Sequence, residues 1–427
     1  MVITLVIDIF GDPNNGTTVT ARRTASYLQD LGNEVRIIGW MSPKSEPDFL
    51  KRFKILRCRK TKISNLSVIA ENGFTFGTAT EKEIADFIKG SDVVHLFFPF
   101  PLEAKVRKVA KAMGIAVTSA FHVQPENISF NIHRGKIAPV NLLIYRLFYN
   151  WLYKFTRTIH TPSETRKDLR VEHHYPNEIY PISNGMVPRF HPEKEEKPAE
   201  LKDKFVILMV GRLAGEKRQD LIIKAIGKSK YNQNIQLILC GQGPKRKHYR
   251  KLSKKYLANP CEFRFVKQDE LRKIINYSDL YIHASDAESE AIACIEAFAC
   301  GKVPVISDSK YSATNHFSLD SRCLFKAGDP NSLKDRIDYF YEHPEVRPEL
   351  SEKYIEFSKT FDITNKVKEL DQRMKDEYDK NEEDKKLNRT YYTSIAERRH
   401  LKRTAKKAGI ENPYIVKKDI YHQKKHK

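Results

Sequence analysis

Paired cysteines, long apolar runs and, over one stretch, negative charge are what this chain lacks. Its six cysteines (58, 240, 261, 294, 300 and 323) form no C-x-x-C pair. Most lie in apolar runs, so they read as small buried hydrophobes of a reducing compartment, and zinc or disulfide chemistry is not expected. No window of 18 uncharged apolar residues occurs in the 427, so no helix is expected to span a membrane. The first residues, Met1-Val2-Ile3-Thr4-Leu5-Val6-Ile7-Asp8, carry no basic leader and soon meet an acid. They read as a first β-strand rather than a signal peptide, and the expected compartment is the cytoplasm. No acidic residue stands between Glu126 and Glu164, and no internal repeat is visible beyond a likeness of the two halves.

What is present is length and positive charge. At roughly 150 residues per domain, 427 residues suggest two or three domains with real cores. Lys+Arg number 75 against 54 Asp+Glu, a net charge of +21. Such a balance implies polyanionic company: nucleic acid, an anionic membrane surface or phosphorylated substrates. Short apolar runs alternate with helix-like stretches. Strands are expected at Val2–Ile9, Val35–Trp40, Val93–Phe98, Ile115–Ala120 and Ile179–Ile182, then at Phe205–Val210, Ile235–Cys240, Leu280–His283 and Val303–Ile306. Continuous apolar strands between amphipathic helices such as Thr20–Leu31, Lys217–Ile226 and Ala291–Cys300 imply doubly wound parallel sheets of the α/β class. The proline-flanked charged run from Pro192 to Pro198 reads as a linker between two Rossmann-like domains, 1–190 and 200–350. Charged helices follow over 351–379, with a return to the N-terminal domain as one expectation. Residues 380–427 form a basic tail, with 15 Lys+Arg against 6 Asp+Glu and little apolar periodicity.

Three motifs follow successive strands of the second half. Val210-Gly211-Arg212-Leu213-Ala214-Gly215-Glu216-Lys217 ends a strand and opens a helix, placing two cations where doubly wound sheets bind ligands and where a diphosphate fits. Gly241-Gln242-Gly243-Pro244 is a glycine loop after the next strand. Glu288-Ser289-Glu290-Ala291-Ile292 leads into a helix carrying Glu296 in an apolar setting, and the backbone N–H groups of 290–292 would face an anion.

In order and spacing, these elements resemble the nucleotide-sugar domain of the retaining GT-B glycosyltransferases of family 4. The G-R-x-x-x-x-K and E-x7-E elements are both present, as are Ala297-Phe298-Ala299-Cys300-Gly301-Lys302 and Phe325-Lys326-Ala327-Gly328-Asp329-Pro330. In the first half, Asn14-Asn15-Gly16-Thr17-Thr18, Val93-Val94-His95, Thr118-Ser119-Ala120-Phe121-His122 and Ile182-Ser183-Asn184-Gly185-Met186 fit as well. The resemblance implies two Rossmann-like domains facing across a cleft. It implies that Arg212 and Lys217 hold the donor diphosphate and neutralise the departing nucleoside diphosphate. Glu296 would accept the ribose hydroxyls and Glu288 would lie by the transferred sugar. His122 would face that sugar, and Gly16 would lie on a loop approaching the phosphates. Gly211, Gly241, Gly243, Ser289, Glu290, Ala291 and Ile292 would line the donor site. Members often carry glycines where this chain has Ser289 and Ala291, a departure that bears on the sugar pocket. No D-x-D motif lies in a suitable loop, so no metal and no cofactor is expected; the nucleotide-sugar, UDP-glucose or UDP-galactose, is a substrate.

The acceptor side points to a membrane. The acid-free stretch carries five Lys+Arg and seven aromatics, with Arg146 and Trp151 in its apolar heart at Leu142–Phe155. Glu103–Met113 reads as a helix with an apolar face, and Lys105, Arg107, Lys108 and Lys111 populate the remainder. A peripheral enzyme on an anionic membrane surface, with a lipid such as diacylglycerol or a lipid-linked acceptor, is the leading expectation. A capsule or wall polysaccharide acceptor is the alternative within the family, and a GT-B-shaped epimerase without acceptor is another. A nucleic-acid-binding protein is expected only from the charge; no recognised motif of that class is present.

Overall fold

The computed structural model describes the chain except residues 11–15, 42–46, 66–74, 127–137, 164–168, 170–172, 392–393, 417–418 and 422–427. The chain folds as two compact units. The first gathers Met1–Pro125, Ala138–Ser183 and Lys366–Lys427; the second is built on Asn184–Asn365.

The first unit is a seven-stranded sheet of β1 (Val2–Val6), β2 (Glu34–Gly39), β3 (Lys54–Arg57), β4 (Val93–Leu96), β5 (Ala116–Ala120), β6 (Thr158–Thr161) and β7 (Glu178–Pro181). Its order is β3-β2-β1-β4-β5-β6-β7, with every neighbouring pair parallel. The flanking helices are α1 (Gly16–Asp30), α2 (Glu81–Ile88), α3 (Pro101–Ala112) and α4 (Ala138–Trp151). Sequence explains their ends: Thr80 caps α2 through a reciprocal box with Glu83, and Pro101 starts α3.

The second unit holds β8 (Phe205–Val210), β9 (Ile235–Cys240), β10 (Glu262–Arg264), β11 (Leu280–His283), β12 (Pro304–Ser307) and β13 (Leu324–Phe325). The order is β10-β9-β8-β11-β12-β13, again parallel throughout. Both faces are covered, and β9 (Ile-Gln-Leu-Ile-Leu-Cys) is buried along its whole length. Helices α5 (Gln219–Lys228), α6 (Arg246–Tyr256) and α7 (Ile292–Ala299) follow β8, β9 and β11. In each sheet the winding reverses once, between β1 and β4 and between β8 and β11. Ligands of doubly wound folds bind at the carboxyl ends of strands flanking such a reversal.

Two expectations about organisation are corrected. The run Pro192–Pro198 is fastened to the second unit: Lys197 pairs with Asp279, and the Glu193 amide donates to Asn276 Oδ1 at 3.0 Å. The chain instead passes between units at 183/184 and 365/366. The stretch 380–427 is also more than a tail. Helix α8 (Ile363–Lys386) brings the chain back to the first unit, where Asn33 Nδ2 donates to Asp371 and Arg157 pairs with Asp384. Helix α9 (Ile395–Ala408) then packs on α3 and α2. Ser394 caps its start and Gly409, at φ +67°, ends it.

That packing overturns the reading of α3 as a membrane-facing basic helix. Arg107 is 1% exposed, its guanidinium 2.8 Å from Glu397 of α9 and over the Phe155 ring. Lys111 donates to the same carboxylate at 3.1 Å, and Lys105 donates to the Ala79 carbonyl. Lys108 is half-buried, and its ammonium is lowered by burial and then by Arg107. Arg107 and Lys111 thus serve an internal junction with α9.

Candidate functional site

The carboxyl ends of β8 and β11 are stitched together. After β8 the chain makes a 3-10 turn, Gly215–Lys217, and Arg218 takes left-handed φ (+53°) before α5. Arg218 Nη1 donates to Asp286 at 2.8 Å, and the Asp286 amide donates to the Glu216 carbonyl at 2.8 Å. This brings Lys217 onto Glu288: its ammonium is in direct contact with Glu288 Oε1. The same oxygen accepts His283 Nε2 and Ser285 Oγ, each at 3.0 Å. Burial acts to raise the Glu288 carboxyl. The Lys217 charge and then the His283 hydrogen bond outweigh it, leaving it lowered to about 2. Glu288 is therefore an anion whose one oxygen is crowded with donors. Arg212, half-buried, heads the same loop, with its carbonyl held by Gln219 Nε2 at 2.9 Å.

The glycines have separate reasons. Cβ atoms at Gly241 and Gly243 would lie 2.0 Å from the Gly211 carbonyl oxygen and 2.4 Å from that of Leu213. The β9 loop lies flat on the β8 loop, with the Gly211 amide donating to Cys240 and the Leu213 amide to Gln242, both at 2.9 Å. Both glycines thus serve loop packing. A Cβ on Gly211 would meet nothing within 4 Å, which leaves open space above the strand end.

After Glu288 the chain passes Ser289 and Glu290. The Glu290 carboxylate accepts both the backbone amide and, at 2.6 Å, the side-chain amide of Asn184. Its side chain thus anchors Asn184, where the chain enters the second unit from the first. Ala291 caps α7 at φ +66°, ψ +70°, a conformation that strains a residue with a Cβ. Ile292 opens α7, and Glu296 lies in its second turn, 7% exposed. The buried Tyr281 phenol is raised by burial first, then by Cys294, Glu288 and Glu296, so both carboxylates of the pair act on one ring.

In the first unit Gly16 is the first residue of α1 rather than a loop residue, with open space where a Cβ would be; Asn14 and Asn15 lie outside the described residues. His122, just past β5, is 8% exposed and stacks on Phe97 at 5.4 Å. His160 of β6 stands edge-on to it at 5.4 Å, its Nε2 donating to the Ile182 carbonyl at 2.6 Å. His95 of β4 bonds Thr118 Oγ1 at 2.8 Å. Burial lowers all three rings, to about 3 for His95, about 4 for His160 and well below the usual range for His122, so the row is neutral at pH 7. His160 was missed in the sequence; its only signal was a histidine in a short polar strand, Thr158-Ile159-His160-Thr161.

On α4, Tyr145 faces inward while Leu143 (58% exposed), Leu147 (57%) and Trp151 (51%) form an outward stripe at i, i+4, i+8, with Arg146 exposed beside it. Phe130, Arg134 and Lys136 of the acid-free stretch lie outside the described residues. Among the described residues, no helix is long and apolar enough to cross a membrane, and no group of three or more His, Cys, Asp or Glu could hold a metal ion.

Residues 190–360 match the family model for glycosyl transferases group 1, and residues 14–189 that for glycosyltransferase family 4. A phosphatidylinositol N-acetylglucosaminyltransferase GPI3 subunit of Saccharomyces cerevisiae is 25% identical over 45% of this chain and 47% of its own length. An alpha-monoglucosyldiacylglycerol synthase of Acholeplasma laidlawii is 23% identical over 64% of this chain and 66% of its own. The chain thus spans about half of the one relative and just under two thirds of the other. HepE of Anabaena in complex with UDP-glucose shares the fold, with a TM-score of 0.66 at 14% identity, over 88% of this chain and all of that one.

Proposed function

We propose that this chain, which belongs to the GT-B glycosyltransferases of family 4, moves a hexose from UDP-glucose or UDP-galactose to a membrane lipid such as diacylglycerol, with retention at the anomeric carbon. The observation that carries the reading is the Lys217–Glu288 contact beside Arg212 at the reversal of the second sheet. It supplies what a leaving diphosphate needs: Lys217, a point charge fixed before reaction, with Arg212, a planar fork of donors, heading the same loop. As the C1–oxygen bond breaks, its electron pair stays with the diphosphate, where Arg212 and Lys217 meet the new charge without a divalent ion. The acceptor hydroxyl oxygen bonds C1, and its proton passes to the departing phosphate oxygen. Glu288, kept ionised, stabilises positive charge growing at the sugar. Glu296 takes the ribose hydroxyls.

The lipid acceptor is supported by two of the relatives, a phosphatidylinositol N-acetylglucosaminyltransferase subunit and a monoglucosyldiacylglycerol synthase, and by the outward Leu143–Leu147–Trp151 stripe, which suits a headgroup boundary. The reading places the protein on the inner face of the membrane. The test offers UDP-glucose and UDP-galactose with vesicles containing diacylglycerol and, separately, with soluble polysaccharide. An α-linked glycosyl-diacylglycerol, read by NMR, supports it. Product only on polysaccharide, or donor interconversion without acceptor, refutes it.

A further inference from the structure

We propose that the outward face of α9 is an electrostatic docking surface for anionic lipid headgroups. The helix carries six Lys+Arg and a single acid, Glu397. That acid is buried and committed to Arg107 and Lys111 of α3. Glu397, Leu401, Thr404, Ala405 and Ala408 form the inward face. Arg399, Lys402, Arg403 and Lys406 then fall at i, i+3, i+4 and i+7 on the other side, and with Lys407 all five are exposed. The positive charge expected on α3 is thus displaced one layer outward: α9 neutralises that helix and presents its own cations instead.

Charge by itself does not choose the occupant, because α6 of the second unit also exposes five cations (Lys247, Arg250, Lys251, Lys254 and Lys255) and no acid. Apolar neighbours decide between them. Of the nine large apolar side chains exposed among the described residues, six belong to the first unit, including the α4 stripe and Ile395, 68% exposed in the first turn of α9. The turn after α4 and the start of α9 meet on α3: Arg107 lies 4.1 Å over the Phe155 ring and 2.8 Å from Glu397. Cations next to inserting apolar groups fit a bilayer surface, whereas a polynucleotide requires no exposed leucines. The proposal deepens the lipid-acceptor reading and rests on it for choosing a bilayer.

The test is co-sedimentation of the full chain with vesicles of equal phosphatidylglycerol and phosphatidylcholine, against phosphatidylcholine alone. At about 1 kcal/mol, or roughly fivefold, per cation near the surface, Arg399→Gln/Lys402→Gln/Lys406→Gln lowers partitioning to anionic vesicles by roughly 100-fold. The charge-matched Lys247→Gln/Lys251→Gln/Lys254→Gln stays near wild type. Both variants keep the wild-type far-UV circular dichroism and urea midpoint, which shows that they are folded. Equal pelleting of the α9 triple variant and wild type, or an equal loss in the α6 variant, overturns the proposal. So does an α9-dependent affinity for single-stranded RNA with no vesicle difference. Because pelleting needs no turnover, vesicle binding lost through α9 in a protein without hexosyl transfer would refute the transferase reading and keep this one.

Discussion

Replacing Lys217 by Met removes the ammonium that holds Glu288 ionised. The carboxyl then keeps only His283 Nε2 and Ser285 Oγ as donors while remaining buried. In the intact protein it sits at about 2 instead of 4.5; burial opposes this, and Lys217 is the largest cause favouring it. At about 1.4 kcal/mol for each tenfold change in proton affinity, that lowering is on the order of 3 kcal/mol in favour of the folded, ionised form. Because the folded value lies below the unfolded one, that stabilisation is complete above pH 4.5 and is lost as the pH falls toward 2. The variant is therefore less stable than wild type at pH 7, by up to about 3 kcal/mol, and the gap narrows as the pH approaches 3. Urea midpoints measured for both proteins from pH 3 to 8 read this directly. A gap as wide at pH 3 as at pH 7 would show that Lys217 does not hold the charge of Glu288. A variant as stable as wild type at pH 7 would refute the pairing itself.

Glu296→Gln replaces two charged acceptors by one neutral one, and calorimetry should show donor nucleotide affinity falling by about 1.5–3 kcal/mol. Ala291→Gly relieves left-handed strain of about 1–2 kcal/mol against the greater freedom of unfolded glycine, so chemical denaturation should show a net gain of about 0.5–1 kcal/mol. Glu397→Gln leaves Arg107 and Lys111 buried without a counter-charge; the first unit should lose about 3–5 kcal/mol, and limited proteolysis should release α9 earlier.

The fold was legible where burial is two-sided. The strands β8, β9 and β11 match their expected spans because apolar residues dominate each, with only Gln236 and His283 as polar members. Strands such as Lys54-Ile55-Leu56-Arg57 and Thr158-Ile159-His160-Thr161 were missed because polar residues break the run. Helix α9 carried a readable start and stop in Ser394, Glu397 and Gly409, yet its charge masked its inward face. The error over α3 was of another kind. Arg107 and Glu397 are 290 residues apart, and no local pattern announces that a basic helix is covered by another. In the candidate site, Arg212, Lys217, Glu288 and Glu296 were singled out through the family resemblance, and the structure brings Lys217 and Glu288 into direct contact. The clamp between Glu290 and Asn184 and the edge-on His160 depend on loops meeting in space.

The most direct measurement is turnover set against donor affinity in Arg212→Ala. If Arg212 meets charge that grows only as the sugar–phosphate bond breaks, its loss lowers hexosyl transfer by about 10²–10³ and weakens UDP binding far less. Transfer within a few-fold of wild type, or a loss of turnover matched by an equal loss of UDP affinity, would contradict a second-unit site that works by stabilising the leaving diphosphate.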